Sequence, residues 1–399
     1  MPYESGIRSL RLQFVREATE NVTPADPAWL LYSDAVQNFE VSPTGSINPR
    51  GNVGSPDVAN FNAGTESHEF SVQYDLQRWF TSSGDAAYDG MDRNADGALP
   101  ASHSMWARAR AGDDGTAGQG SYIHYVATGA KINTVTLGGE PESGEPIMVT
   151  LNYNCRKLRS YQIDTPVSSG VLTIVSTSAS DTTQSLTIEN EGAGVSETIG
   201  PLTGTTPVTG ATSFASIGAA LLDAECVGDV TIEDASANLL MTIYGQTSYG
   251  GREGDLGVPL LGSGSHGSTI GTAYENILGD TIERPIGTNL GIDADISSVS
   301  MTVENNIETS STVYSIGQIL SEGPRTITLT ASVFGPTASH DAMVDHLRAV
   351  ENNIVWTLTG GTLTLVGAAM TGMGSVARDT GLALLTVDNT FQGKSLTIA

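Results

Sequence analysis

The residues of this chain best spaced for chemistry are Asp92, Asn94 and Asp96, in the run Asp92-Arg-Asn94-Ala-Asp96-Gly97. Oxygen ligands at alternate positions, followed by a glycine for the sharp turn, form the first half of a calcium loop. The second half is missing. His103 stands where the loop needs a bidentate glutamate, and no incoming helix precedes the run. Two readings stay open: a structural cation, Ca2+ or Mg2+, held by Asp92, Asn94 and Asp96, or a solvated acidic loop.

The other motifs are weaker. Gly393-Lys394-Ser395 echoes the end of a phosphate-binding loop, but Asp388 occupies the place of the earlier glycine and no helix follows to present its amides. His68-Glu69 begins like a zinc-protease helix, yet Val72 stands at the second histidine position and the segment alternates as a strand, which predicts a surface pair. The six histidines are scattered, and no serine or cysteine sits in a Gly-x-Ser-x-Gly elbow. Asn21-Val-Thr23 is a glycosylation sequon by pattern alone. Cys155 and Cys226 lack metal-like spacing, which leaves a lone disulfide or two buried reduced thiols. No motif demands a cofactor, and the expectation is a protein that is not an enzyme.

Charge bears on habitat. The chain carries 44 Asp+Glu against 18 Lys+Arg, a formal −26, and its lysines are Lys131, Lys157 and Lys394. A carboxylate-rich, lysine-poor surface stays hydrated in concentrated salt, where screening shortens to a few ångströms. This composition predicts a halophilic source; the alternative is a moderately acidic protein with its acids spread over loops.

The elements that must position any site are strands. At 399 residues, with 39% hydrophobic residues and 46 Gly, the chain has the profile of a strand-and-turn protein with a sizeable core. Apolar and polar residues alternate in Leu10-Arg-Leu12-Gln-Phe14, in Phe70-Ser-Val72-Gln-Tyr74-Asp-Leu76, and in similar runs at 147–153, 299–303, 327–333, 354–358, 363–365 and 396–398. Residues 339–351 instead place Met343, Leu347 and Val350 at helical spacing after Pro336, predicting one helix of about three turns. Phe214, Ile217, Leu221 and Leu222 form a weaker helical pattern.

Two stretches read as insertions. Residues 82–120 are dense in Gly, Asp and Ala without sustained periodicity, predicting a long surface excursion. Short strands at 171–175, 186–188, 230–232 and 239–243, separated by Gly/Thr/Pro turns, predict a small β-sandwich, followed by a glycine-rich connector over 249–271. The expected organisation is one domain made of 1–165 and 280–399, interrupted over 166–279 by an outward-facing sandwich and its connector. The amino terminus has no signal-peptide core and no run approaches a membrane span, so the expectation is a soluble chain made in the cytoplasm.

Taken together, the strand at 10–15, the Gly/Pro loop at 46–57, the strand at 64–79, the strand at 323–333, the helix at 339–351 and the pair at 357–368 resemble the major tail tube proteins of tailed viruses, most closely those infecting haloarchaea. The likeness covers most of the chain outside 166–270. It rests on element order, not on invariant residues. It implies a β-sandwich or barrel with one flanking helix, homohexameric rings stacked into the virion tail tube after assembly in the host cytoplasm, and inward strands joined into one barrel. Partners implied are copies of itself, a tape measure and a tail terminator, with viral DNA ejected through the lumen without specific binding and no membrane contact.

Three features of the residues agree with that reading. Half-polar strands leave edges that closure into a ring removes. Loops such as 44–63 suit arms on a neighbouring subunit. An acidic wall repels phosphate, the reverse of a basic DNA-binding footprint. The alternative is a cell-surface or extracellular β-sandwich structural protein of a halophile. A hydrolase on a β scaffold is a third class, for which no carboxylate pair stands out by position.

Overall fold

The computed structural model describes residues 11–51, 58–77, 85–93, 98–113, 120–139, 146–191, 194–262, 281–283, 296–311, 318–334, 351–358, 361–373, 377–378 and 385–399. The protein is mainly β, as its alternation predicts.

The first third contributes β1 (Arg11–Arg16), β2 (Leu30–Leu31), β3 (Val36–Gly51), β4 (Val58–Asp75), the short helix α1 (Ala86–Met91), β5 (His103–Asp113), β6 (Gly120–Gly139), β7 (Met148–Cys155) and β8 (Lys157–Asp164). The central strand is β6. Its first half pairs with β5 and β8, its second with β7 and with a later strand. The change of sheet falls at Gly129, whose φ of 59° lies in the left-handed region and where a Cβ would sit 2.8 Å from Arg156 Cβ. Glycine is required there on both counts.

Residues 170–258 form two facing four-stranded sheets. They contain β9 (Gly170–Ser176), β10 (Leu186–Glu189), β11 (Ser196–Ile199), β12 (Val208–Phe214), β13 (Ala219–Leu222), β14 (Val230–Glu233), β15 (Leu239–Ile243) and β16 (Gly257–Val258), in the orders β11-β10-β13-β16 and β12-β9-β14-β15. Leu172, Ile174, Leu186, Ile188, Phe214, Ile232 and Ile243 fill the space between them. Part of the expected connector is therefore sandwich: β16 completes one sheet and Leu261 is buried in the core.

The last third adds β17 (Thr281–Glu283), β18 (Ile296–Glu304), β19 (Ile307–Ser311), β20 (Gln318–Glu322), β21 (Thr326–Phe334), β22 (Asn352–Leu358), β23 (Gly361–Met373), β24 (Ala377–Arg378), β25 (Leu385–Gly393) and β26 (Ser395–Ile398). Strands β4, β7, β6, β18, β21 and β25 lie side by side. Like β6, β23 serves two neighbourhoods, pairing with β22 and β26 through Ala368 and with β25 from Ala369 onward. One continuous core holds the inward residues of all these strands, among them Phe14, Phe70, Val72, Tyr153, Val135, Met301, Leu329, Trp356 and Phe391.

Four expectations are corrected. The described residues of 82–120 are no surface excursion, because they hold α1, whose Ala86, Ala87 and Met91 are buried, and β5, buried on both faces from His103 to Arg108. Helix α1 lies so close to β6 that a Cβ on Gly90 would fall 2.4 Å from a Val135 methyl. The helical pattern over 214–222 is the end of β12 and all of β13; a short apolar run buried on both sides carries no reliable period. The expected loop at 44–63 is strand wherever it is described, in the ribbon of β3 and β4. His68 is buried at 3% exposure in β4, not a surface residue. The expected helix at 339–351 lies outside the described residues, except for Glu351.

Candidate functional site

The proposed cation loop is only partly described, since Asn94 and Asp96 fall outside. Asp92 caps α1, its backbone N–H donating to Tyr88 O at 2.8 Å. Arg93 reaches Glu322 Oε2 at 2.6 Å and Asn305 Oδ1 at 2.9 Å. The charge beside Asp92 is that of Arg325, whose pKa burial lowers to about 10, with Arg93 lowering it further and Asp92 opposing. Two guanidiniums at this corner supply positive charge of the kind a metal would bring. Among the described residues no group of three His, Cys, Asp or Glu is placed to hold a metal ion.

The remaining motif residues serve the fold. His103 is buried and shares Asp89 with Arg16: His103 Nε2 lies 2.8 Å, and Arg16 Nε 2.6 Å, from Asp89 Oδ2. Lys394 sits at the corner between β25 and β26 and pairs with Glu351. Asn21 Oδ1 accepts from Thr128 Oγ1, and Thr23 Oγ1 bonds Ser104 Oγ, so both polar positions of the sequon are engaged internally. Both thiols are free and buried. Burial holds the Cys155 thiol well above its usual range, with Glu69 and Glu17 adding to the effect, and raises Cys226 to about 12, with Asp181 and Asp223 contributing. Neither is a thiolate nucleophile at neutral pH.

The most extensive organised surface is the outer face of β4, β7, β6, β18, β21 and β25. Ladder registers place Gln73, Thr150, Thr136, Thr302, Thr328 and Gln392 in a single row across all six strands. The row is uncharged and amphipathic, with hydroxyls or amides outward and the buried core behind. A neighbouring row runs Met148, Gly138, Ser300, Thr330 and Thr390, and the next runs Ser71, Asn152, Thr134, Glu304 and Thr326. Strand propensity and partial exposure together select threonine here, because its methyl packs on the pleat while its hydroxyl stays wet. The carboxylates of this face lie toward its margins, at Glu69, at Asp75 opposite Met148, at Glu304 and at Asp388.

Part of this face is concave. The β19–β20 hairpin stands over it, anchored by Asn154 Nδ2 donating to Ile307 O at 3.2 Å and Ile307 N donating to Asn133 Oδ1 at 2.8 Å. The resulting groove, about 560 Å3, is lined by Glu40, Ser71, Asn133, Thr134, Asn152 and Thr309 among others. Its chemistry is polar recognition, and its lining contains neither histidine nor cysteine.

Beside this face projects a ribbon. Strand β4 pairs with β7 only from His68 to Asp75, whereas its pairing with β3 continues through 58–67 against 44–51. Pro43 and Pro49 lie in β3, a strand whose pairing among the described residues is to β4 alone, and an edge is where a missing N–H is tolerated.

The sandwich packs against the other side of the first sheet. Trp29, Trp106, Val126, Tyr161 and Ile163 share its hydrophobic cluster, and Trp29 Nε1 donates to Leu260 O at 3.0 Å. Arg108 forks onto Glu191 while lying 3.7 Å from the centroid of Tyr122, and Arg159 Nε donates to Asp255 Oδ1 at 2.8 Å. Beneath, Trp106 Nε1 donates to His124 Nδ1 at 3.0 Å. Burial, reinforced by Arg108, depresses His124 to about 3, so the ring is neutral with its proton on Nε2. Sequence reasoning missed this layer because Trp106 and Arg108 lie in the stretch read as excursion; the alternation Ser104, Trp106, Arg108 was the available signal.

Among the described residues no helix is long and apolar enough to cross a membrane, which says nothing of β-barrels. No protein-family model matches the chain, and no curated protein matches its sequence.

Proposed function

We propose that this chain is a structural virion protein, the subunit of a viral tail tube, forming rings of six that stack into the conduit for DNA. The observation that carries the reading is the six-strand hydroxyl and amide face. A sheet with a closed core on one side and a broad, wet, uncharged surface on the other suits a wall past which a polyanion slides. Its three central rows contain no Lys or Arg to contact phosphate, and so offer none of the counterion release that drives retention on DNA. This refines the acidic lumen expected from composition: the centre of the proposed wall is neutral, and carboxylates border it. The β3–β4 ribbon, paired beyond the sheet and open at one edge, is the arm by which one subunit joins the next. Tape-measure and terminator proteins are then the partners at the two ends of the tube.

The test is electron microscopy of the purified chain in molar salt across a concentration series. Rings or tubes with a central hole wide enough for a DNA duplex support the reading. A monomer at every concentration, or recovery of the native protein from cell envelopes instead of virions, removes it.

A further inference from the structure

We infer that the groove under the β19–β20 hairpin takes an extended segment of a different protein, which adds as a strand to the free edge of β19 and carries a Lys or Arg to Glu40 and Glu69. One cavity of about 560 Å3 is lined by Glu40, Glu69, Asn133, Asn154 and Thr309 together. Such docking requires no ring of copies, and the bound segment lies at the margin of the proposed wall.

The outer edge of β19 is satisfied at one residue and open at the next. Ile307 N donates to Asn133 Oδ1 at 2.8 Å and Ile307 O accepts from Asn154 Nδ2 at 3.2 Å, so two side-chain amides hold Ile307 as a neighbouring strand would. Ile307 and Glu322 are therefore a non-hydrogen-bonded pair of the hairpin. Alternation along the ladder then turns the N–H and C=O of Thr309, opposite Leu320, to the same outer edge. There they have no hydrogen-bond partner among the described residues, and Thr309 lines the groove. A donor and an acceptor at strand spacing are what an added strand engages.

Charge selects the side chains of that strand. Glu40 lies opposite Ser71, and Glu69 is one diagonal step away on the same face, about 7–8 Å for such neighbours. Neither carboxylate has an ion-pair partner among the described residues, and the groove lining holds no Lys or Arg. A polyamine would meet the carboxylates but brings no acceptor for Thr309 N–H. A second copy is poorly equipped, because all three lysines, Lys131, Lys157 and Lys394, lie within ion-pair distance of carboxylates of their own chain.

The test uses the full chain, at the lowest salt that keeps it folded, and a fluorescent peptide Thr-Val-Lys-Val-Lys-Val-Thr with blocked ends. Saturable binding is expected, about tenfold weaker in the Glu40→Gln/Glu69→Gln double variant and in Thr309→Pro, which removes the outward N–H at an edge position where proline is tolerated. The same peptide N-methylated at its central valine should also bind about tenfold more weakly, a readout that stands even if Thr309→Pro disturbs the hairpin. No binding at about 1 mM peptide overturns the proposal, as does equal affinity in the double glutamate variant or for the N-methylated peptide. Displacement of the peptide by an equal concentration of spermidine overturns it in favour of a polyamine site. Exchange protection of the Thr309 amide that rises with the concentration of the chain alone overturns it in favour of a second copy.

Discussion

At the scale of single residues, stability is concentrated in buried polar side chains with complete sets of partners. Glu17 accepts from Asn21 N, Ser102 Oγ, Ser104 Oγ and Gly129 N, all between 2.7 and 2.9 Å, and is 6% exposed. Replacing it with leucine strands four donors at once, and a loss of about 2–4 kcal/mol is expected in urea unfolding; a loss under 1 kcal/mol would contradict the geometry. His124 gives a pH signature. Its folded pKa is depressed, so the unfolded chain binds the extra proton: stability is full above the unfolded value near 6.5 and falls as pH drops toward the folded value of about 3. The slope in that window reaches about 1.4 kcal/mol per pH unit for one proton. Between pH 4 and 7, His124→Gln should show a flatter profile than wild type; parallel profiles would mean that the ring titrates normally.

At the scale of elements, two long strands tie the sheets together and their glycines decide where. Gly129→Ala is expected to cost about 1–3 kcal/mol, combining the left-handed φ with the clash against Arg156. Gly250→Ala is its control, with a φ of 69° but open space around it, and should cost only the backbone part, about 1 kcal/mol. Equal effects in thermal melts would show that the Gly129 contact relaxes freely. The β3–β4 ribbon gives the opposite prediction. Because its distal part pairs with no third strand among the described residues, trimming 44–66 to a tight turn should leave the melting temperature within about 2 °C of wild type and abolish assembly seen by sedimentation. Rings that survive the trimming would remove the ribbon from the interface.

These elements also mark how far the sequence could be read. Strands with one wet face, such as β4, β18 and β21, announce themselves by alternation. Strand β5 does not: the sandwich covers its second face, so Arg108 is buried and the polar half of the pattern loses its usual meaning. Helix α1, at six residues, is too short for a period, and its small residues were chosen for closeness to β6, not for amphipathicity. The hydroxyl row was present in the sequence as Thr-x-Thr spacing, but only ladder register aligns residues from 73 to 392.

At the scale of the whole molecule, the acid excess sets a condition on any assembly. Lys157 and the guanidiniums of Arg16, Arg93, Arg108 and Arg159 are engaged within the chain, with Asp89, Glu322, Glu191 and Asp255 among their partners, and Lys131 is held between Glu20 and Glu322. Cations spent internally cannot bridge copies, so subunits meet with a surplus of carboxylate on both sides. In the proposed ring, six copies at −26 each would carry −156. At ~10 mM salt the Debye length is about 30 Å, comparable to a subunit, and repulsion acts across the whole ring; at 1 M it is about 3 Å and only touching carboxylates repel. Assembly should therefore be intact in molar salt and fall apart on dialysis to ~10 mM, while the folded monomer, with its pairs buried, survives longer on the same dilution series. Native mass spectrometry or negative-stain images of intact rings at ~10 mM would mean that cations on the undescribed segments, or bound ions, neutralise the interface.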